Sequence, residues 1–312
     1  MFVKILKLFV PIISLMLFVN ISNAQLIEIK VAPNSNPGDL KMFSYTPIRS
    51  SLKANRPLIV LLHGCGMSAT SMLNQSGWRE MADSLDLCLL LPQQKVTNNL
   101  SLCFNWFTKS NTNNMGEALS IMNMVEEMKK KYSIDSTKIY LYGLSAGACM
   151  ALEIAYTNAD KIAGVASLAG VPIGTSKRYI DGLESMLNGD DAIFKSKYQV
   201  LGTKRLPKLI VLHGKNDLVV DYQNANLIIE QWQRASERKL NSSQPDCSVH
   251  SSIIKTNYVN ENNEVGISFY SIFNLGHRIP VDHTLKEYDG IFTKNIHWNS
   301  TRAICLDFNL TK

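Results

Sequence analysis

Apolar residues in this chain fall into two alternating rhythms. Short unbroken runs at residues 57–62, 87–91, 138–142, 162–168 and 207–212 have the length and composition of strands buried on both faces. Between them lie stretches with helical spacing at 71–84, 148–156 and 222–234. The clearest is 116–132, where Ala118, Ile121, Met122, Val125 and Met128 follow the i, i+3, i+4, i+7 order of a surface helix. Residues 26–31 and 42–45 read as two leading strands, and the β-rich run 265–273 as a late one. Strands alternating with helices predict an α/β chain with a mostly parallel central sheet and helices on both faces. The longest interval between strands, 171–206, carries one helix-like stretch near 180–187 and is expected to pass over the strand ends, a plain surface loop being the alternative.

The amino terminus stands apart from this pattern. Lys4 and Lys7 precede an apolar stretch at 8–19 that is short for a bilayer span, and Ser22-Asn23-Ala24 has the small-residue character of a cleavage site. Residues 1–24 therefore read as an export signal and 25–312 as a single catalytic domain, with no stable membrane anchor after cleavage; an uncleaved anchor is the rival reading. Removing Lys4 and Lys7 lowers the formal charge from +6 to +4. Beyond them, the cluster Lys129-Lys130-Lys131 closes a predicted helix, where cations complement the dipole, so no nucleic-acid partner is expected.

Six cysteines are too few for a small fold that depends on disulfides. Cys88 and Cys149 lie in apolar patterns and read as small buried residues, whereas Cys65 and Cys103 lie in loops and Cys247 and Cys305 in the last third. Pairing Cys65 with Cys103 and Cys247 with Cys305 is one arrangement among those the spacing leaves open.

The chemistry is concentrated where strands end. Gly143-Leu144-Ser145-Ala146-Gly147 follows a strand run and opens a helix, the setting that turns a bare G-x-S-x-G into a nucleophile elbow. The run 57–62 stops at His63-Gly64-Cys65-Gly66, which would free backbone N–H groups for a developing oxyanion; Cys65 and Ala146 are the expected donors. Read blandly, His63-Gly64 is only a strand-end turn. The next strand stops before Asp217, the expected acid, with Asp221 better placed to cap the following helix. His277 follows the strand at 265–273 and is the expected base, with His283 and His297 as rivals. Ser145, Asp217, His277 is the order of the α/β hydrolases. No cofactor or metal is expected, since the histidines form no helical pair and join no paired-cysteine motif.

With these residues in hand, the chain resembles the polyhydroxybutyrate depolymerase-type esterases, secreted α/β hydrolases that include feruloyl and acetyl-xylan esterases. The resemblance runs from Pro57 to Pro280 and rests on His63-Gly64-Cys65-Gly66, Gly77-Trp78, Cys103-Phe104-Asn105-Trp106-Phe107, Gly143 to Gly147, His213-Gly214 with Asp217, and Gly276-His277. The run at 103–107 discriminates most. The resemblance implies a Ser145, Asp217, His277 triad, oxyanion donors at Cys65 and Ala146, and Trp106 at the substrate rim, although a core aromatic is an equal alternative for Trp106. Ile279 stands where members often carry Trp, and the chain ends soon after the catalytic region, so soluble oligomers or small esters are expected over crystalline polymer. The rival functions are a feruloyl or acetyl-xylan esterase, a serine peptidase on the same fold, and a binding protein that has lost activity.

Overall fold

Each buried run distributes its side chains to two opposite cores. In the structure, a computed structural model that describes residues 25–47, 55–175, 179–189, 205–237, 239–285 and 290–311, Leu58, Val60 and Leu62 enter one apolar cluster while Ile59 and Leu61 enter the other. Leu209 and Val211 against Ile210 and Leu212 repeat the division. The proposed leader 1–24 and the middle of the 171–206 stretch, at 176–178 and 190–204, lie outside the described residues.

The main sheet runs β1 (Ile27–Ile29), β2 (Lys41–Tyr45), β4 (Cys88–Gln93), β3 (Arg56–Leu62), β5 (Ile134–Leu144), β6 (Gly164–Leu168), β7 (Lys208–Gly214), β11 (Val265–Ile272), β10 (Ile253–Val259) and β8 (Asn241–Ser242), with β9 (Asp246–His250) also on β10. From β4 to β11 every neighbouring pair is parallel, and antiparallel strands extend both edges. This is the mostly parallel sheet that the sequence predicts. A separate parallel pair joins β12 (Ile279–Val281) to β13 (Thr293–Asn295).

Helices cover both faces. α3 (Gly116–Lys131), α4 (Ala146–Thr157) and α6 (Gln223–Ala235) bury Ile121, Met150 and Trp232 on one side. On the other side α1 (Ala69–Gln75), α2 (Trp78–Leu85) and α7 (Ser300–Asp307) bury Met72, Trp78 and Ile304. The predicted helix 71–84 is thus two helices, because Gly77 takes φ 78° and turns the chain between them. Trp78 lies wholly in the core, edge-on to Tyr142 with ring centroids 5.5 Å apart. α5 (Tyr179–Asn188) supplies the helix foreseen near 180–187, and Asn224 of α6 holds its end by donating to Ser185 O at 3.0 Å.

The cysteine pairing is half corrected. Cys65 and Cys103 form a disulfide, and Cys88 and Cys149 are buried thiols as expected. Cys247 and Cys305 are not joined: Cys305, on the inner face of α7, is wholly buried in the core, whereas Cys247 is exposed on β9.

Candidate active site

The elbow is set by contact rather than by loop length. Ser145, between β5 and α4, has φ 56° and ψ −122°, a conformation that costs about 1–3 kcal/mol and persists only where neighbours enforce it. Its N–H donates to Leu168 O at 2.9 Å, and its carbonyl accepts from Cys149 N–H at 3.0 Å. The flanking glycines admit the close approach: a Cβ on Gly143 would lie 2.3 Å from Gly147 O, and one on Gly147 would lie 2.2 Å from Leu62 O. The serine turn is therefore pressed against the end of β3, beside the turn that carries Cys65.

That second turn is held by a histidine that does no proton chemistry. His63 is wholly buried; its Nδ1–H donates to Gly64 O at 2.8 Å and its Nε2 accepts from Gln94 N–H at 3.1 Å. Burial pushes its pKa down to about 4, so the ring stays neutral. His63 is thus the structural residue of the plainer sequence reading, and the turn it holds carries Cys65. Ala146 opens α4, where an N–H has no intrahelical acceptor, and neither it nor the Cys65 N–H is given to an acceptor among the described residues.

Asp217 lies three residues beyond β7. Its Oδ1 accepts from the N–H groups of Val219 and Val220, both at 2.9 Å, and its Oδ2 accepts from His277 Nδ1 at 2.8 Å. Burial opposes the charge on this carboxyl, but the His277 bond and the two N–H donors outweigh it and hold the pKa below the usual range. His277 reaches Asp217 because Leu275 crosses the end of β7, where a Cβ on Gly214 would lie 2.2 Å from Leu275 O. Asp221 instead takes the N–H of Gln223 at the head of α6, as foreseen. Neither His283 nor His297 lines the cavity described next.

Ser145, His277, Ala146, Cys65 and Trp106 share one cavity of about 350 Å³ at the carboxyl ends of β3 and β5. Phe107, Leu144, Leu183, Met186, Val219 and Phe292 supply its apolar walls, and no Asp, Glu, Lys or Arg is among the described residues lining it. A larger open hollow of about 1230 Å³ lies at the other end of the sheet, around Ser136, Ile162, Lys208 and Gly266, and contains none of the predicted site residues.

One wall of the cavity accounts for the motif at 103–107 residue by residue. Cys103 is tied to Cys65, the Phe104 ring packs 4.8 Å from that of His63, and Trp106 and Phe107 face the cavity. Asn105 donates to the buried Glu117 through its backbone N–H at 2.7 Å and its Nδ2 at 2.6 Å. Gln94 adds a third bond to Glu117 at 2.7 Å and a bond to Cys103 O at 3.0 Å. Sequence reasoning missed Gln94 and Glu117 and named His213 only within the motif before Asp217, without a role; their partners are not visible in the sequence, and only the polar residue inside or beside an apolar run hinted at them.

The fold, an open and mostly parallel sheet with a strained serine at a strand-to-helix turn, is that of the α/β hydrolases. The chain matches the Esterase PHB depolymerase family over residues 40–239 and belongs to that family of carboxylic ester hydrolases. It is 33% identical over 256 residues to poly(3-hydroxyalkanoate) depolymerase C of Paucimonas lemoignei, across 80% of this chain and 60% of that one. It is 30% identical over 261 residues to feruloyl esterase B of Talaromyces stipitatus, across 79% and 70% of the two chains. The acetyl xylan esterase from Aspergillus awamori has a similar fold, with a TM-score of 0.71 over 92% of this chain and 100% of that one at 18% identity. This chain thus spans 60% of the length of the depolymerase.

Proposed function

We propose that this protein is an exported serine esterase that acts on poly- or oligo-(3-hydroxybutyrate)-type esters through an acyl-enzyme. Ser145 Oγ attacks the ester carbonyl while His277 Nε2 takes its proton, and Asp217 holds Nδ1–H and stabilises the imidazolium. The N–H groups of Cys65 and Ala146 receive the negative charge that forms on the carbonyl oxygen. His277 then returns its proton to the departing alcohol, and a water activated by the same ring releases the acid. The observation that carries this reading is the 2.8 Å bond from His277 Nδ1 to Asp217 on the wall of the cavity that also contains Ser145.

A fluorophosphonate probe tests the reaction class, since only an activated serine reacts at a useful rate. The wild type is expected to label and the Ser145→Ala variant to remain unlabelled, with hydrolysis of p-nitrophenyl butyrate down by several orders of magnitude. Labelling of the Ala variant at the wild-type rate would move the nucleophile elsewhere.

The likeness to the depolymerase supports the substrate class, and the nearly equal likeness to feruloyl esterase B favours a second one, feruloyl or acetyl esters of plant polysaccharide. Rates on 3-hydroxybutyrate oligomers, methyl ferulate and acetylated xylan separate the two. Residues 1–24 are proposed as the leader and 25–312 as one catalytic domain; among the described residues no helix is long and apolar enough to cross a membrane.

A further inference from the structure

The pair formed by Asp217 and His277 rests on a second histidine. His213, in β7, is wholly buried, and its Nε2–H donates to Val220 O at 2.9 Å. The N–H of the same Val220 donates to Asp217 Oδ1 at 2.9 Å, so the ring closes the turn that holds the carboxylate. Its Nε2 also lies 3.7 Å from Asp217 Oδ2, the oxygen that accepts from His277. That separation is too long for a hydrogen bond, but it sets an N–H dipole beside a buried negative charge.

The other ring nitrogen, Nδ1, is buried without a hydrogen-bond partner. A carbonyl only accepts, so Nε2 carries the proton and the ring is the neutral Nε2–H tautomer. Burial lowers its pKa, and the groups that face it are Asp217 and Asp221 from the loop, Tyr222 with its ring centroid 5.8 Å away, and His277. On β11 its register partner is Ser271, which binds the Tyr222 hydroxyl at 2.8 Å. An apolar side chain would remove the unpartnered Nδ1 but would leave the buried Val220 carbonyl without its donor. What the imidazole adds is one donor, aimed at the acid's turn.

We propose that His213 is a positioning residue for the Asp217–His277 pair, its Nε2–H fixing the 217–220 turn so that the carboxylate meets the base at one angle. This rests on the reading of Asp217 and His277 as acid and base. The test compares His213→Met with His213→Gln, two side chains of similar size of which only Gln keeps a donor near the Nε2 position. With p-nitrophenyl butyrate, the Met variant is expected to lose about 10²-fold in kcat with KM nearly unchanged, as small misplacements of catalytic groups do. The acid limb of its pH profile should also move to lower pH, because a displaced carboxylate supports the imidazolium less. The Gln variant should recover most of both.

A folded Met variant with wild-type kcat and pH profile overturns the proposal, as does an equal loss in the two variants. Should Met prevent folding, nitrogen-15 NMR of the wild-type histidines decides. His213 is expected as a neutral Nε2–H tautomer at pH 8, and an Nδ1–H tautomer there overturns the proposal. Failure of the esterase reading itself would appear separately, as absence of fluorophosphonate labelling in the wild type.

Discussion

His63 shows how one side chain can couple acidity to the shape of the site. Its Nε2 must stay bare to accept from Gln94, so protonation would break the bond that ties β3 to β4 beside the Cys65 turn. With the folded pKa pushed by burial from 6.5 to about 4, the unfolded chain takes up this proton first as pH falls. Stability from this group is therefore complete above about pH 6.5 and is lost progressively down to about pH 4, by about 3 kcal/mol at most. Urea unfolding at pH 7 and pH 4.5 is expected to show a marked loss in the wild type and a smaller one in a His63→Gln variant. Equal losses would mean that the ring already carries its charge in the folded state. At this scale Ser145, Asp217 and His277 are the residues the sequence singles out, because each lies within a few residues of the end of an apolar run and that end is visible in the sequence. The roles of His213 and Gln94 are not visible there, because each residue stands at the end of such a run and its role depends on a partner in another segment.

Elements transmit these constraints. The loop from Cys103 to Phe107 hangs between a disulfide to β3's turn and a carboxylate at the start of α3, where Glu117 receives three hydrogen bonds from Gln94 and Asn105. Glu117→Ala would leave these buried donors unsatisfied at about 1–3 kcal/mol each, so the variant is expected to lose about 3 kcal/mol or more of stability. Glu117→Gln should be only a partial remedy, because all three partners are donors and an amide offers one acceptor oxygen. Urea denaturation of both variants, with esterase rates measured below the transition, checks this; a loss under 1 kcal/mol in Glu117→Ala would show that water serves the donors equally well. Element by element, the sequence predicts the strands buried on both faces and the amphipathic helix α3, since their periodicity is a direct image of burial. It does not reveal β8, β9 and β10, whose side chains are mostly exposed or half-buried at the sheet edge and so carry no unbroken apolar run. α7 was missed for a related reason: it is eight residues long, too short for its buried Ala303 and Ile304 to repeat as a period, and the bonds of Asp307 to Lys255 at 2.6 Å and the Tyr270 hydroxyl at 2.9 Å are invisible to periodicity.

At the scale of the molecule, the cavity belongs to no segment of the chain. Its walls come from the turns after β3 and β5, the loop at 103–107, α5, Val219 and Phe292, elements that only the folded sheet brings to one end. Their side chains set what enters: a volume of about 350 Å³, apolar walls, and no cation among the described residues to meet an anion. Burying an unpaired carboxylate there costs several kcal/mol, whereas a neutral chain of the same length gains from burial. With p-nitrophenol as the common leaving group, the butyrate ester is therefore expected to exceed the mono-succinate ester in kcat/KM by at least about 100-fold at pH 7.5, since each 1.4 kcal/mol is a factor of ten. Leu183→Arg, on a wall residue that is 39% exposed, should narrow the gap by placing a solvated guanidinium within reach of the succinate carboxylate while leaving Ser145 labelling intact. Equal rates on the two esters in the wild type would mean that the acyl chain lies outside this cavity, along the open mouth where water still covers the charge.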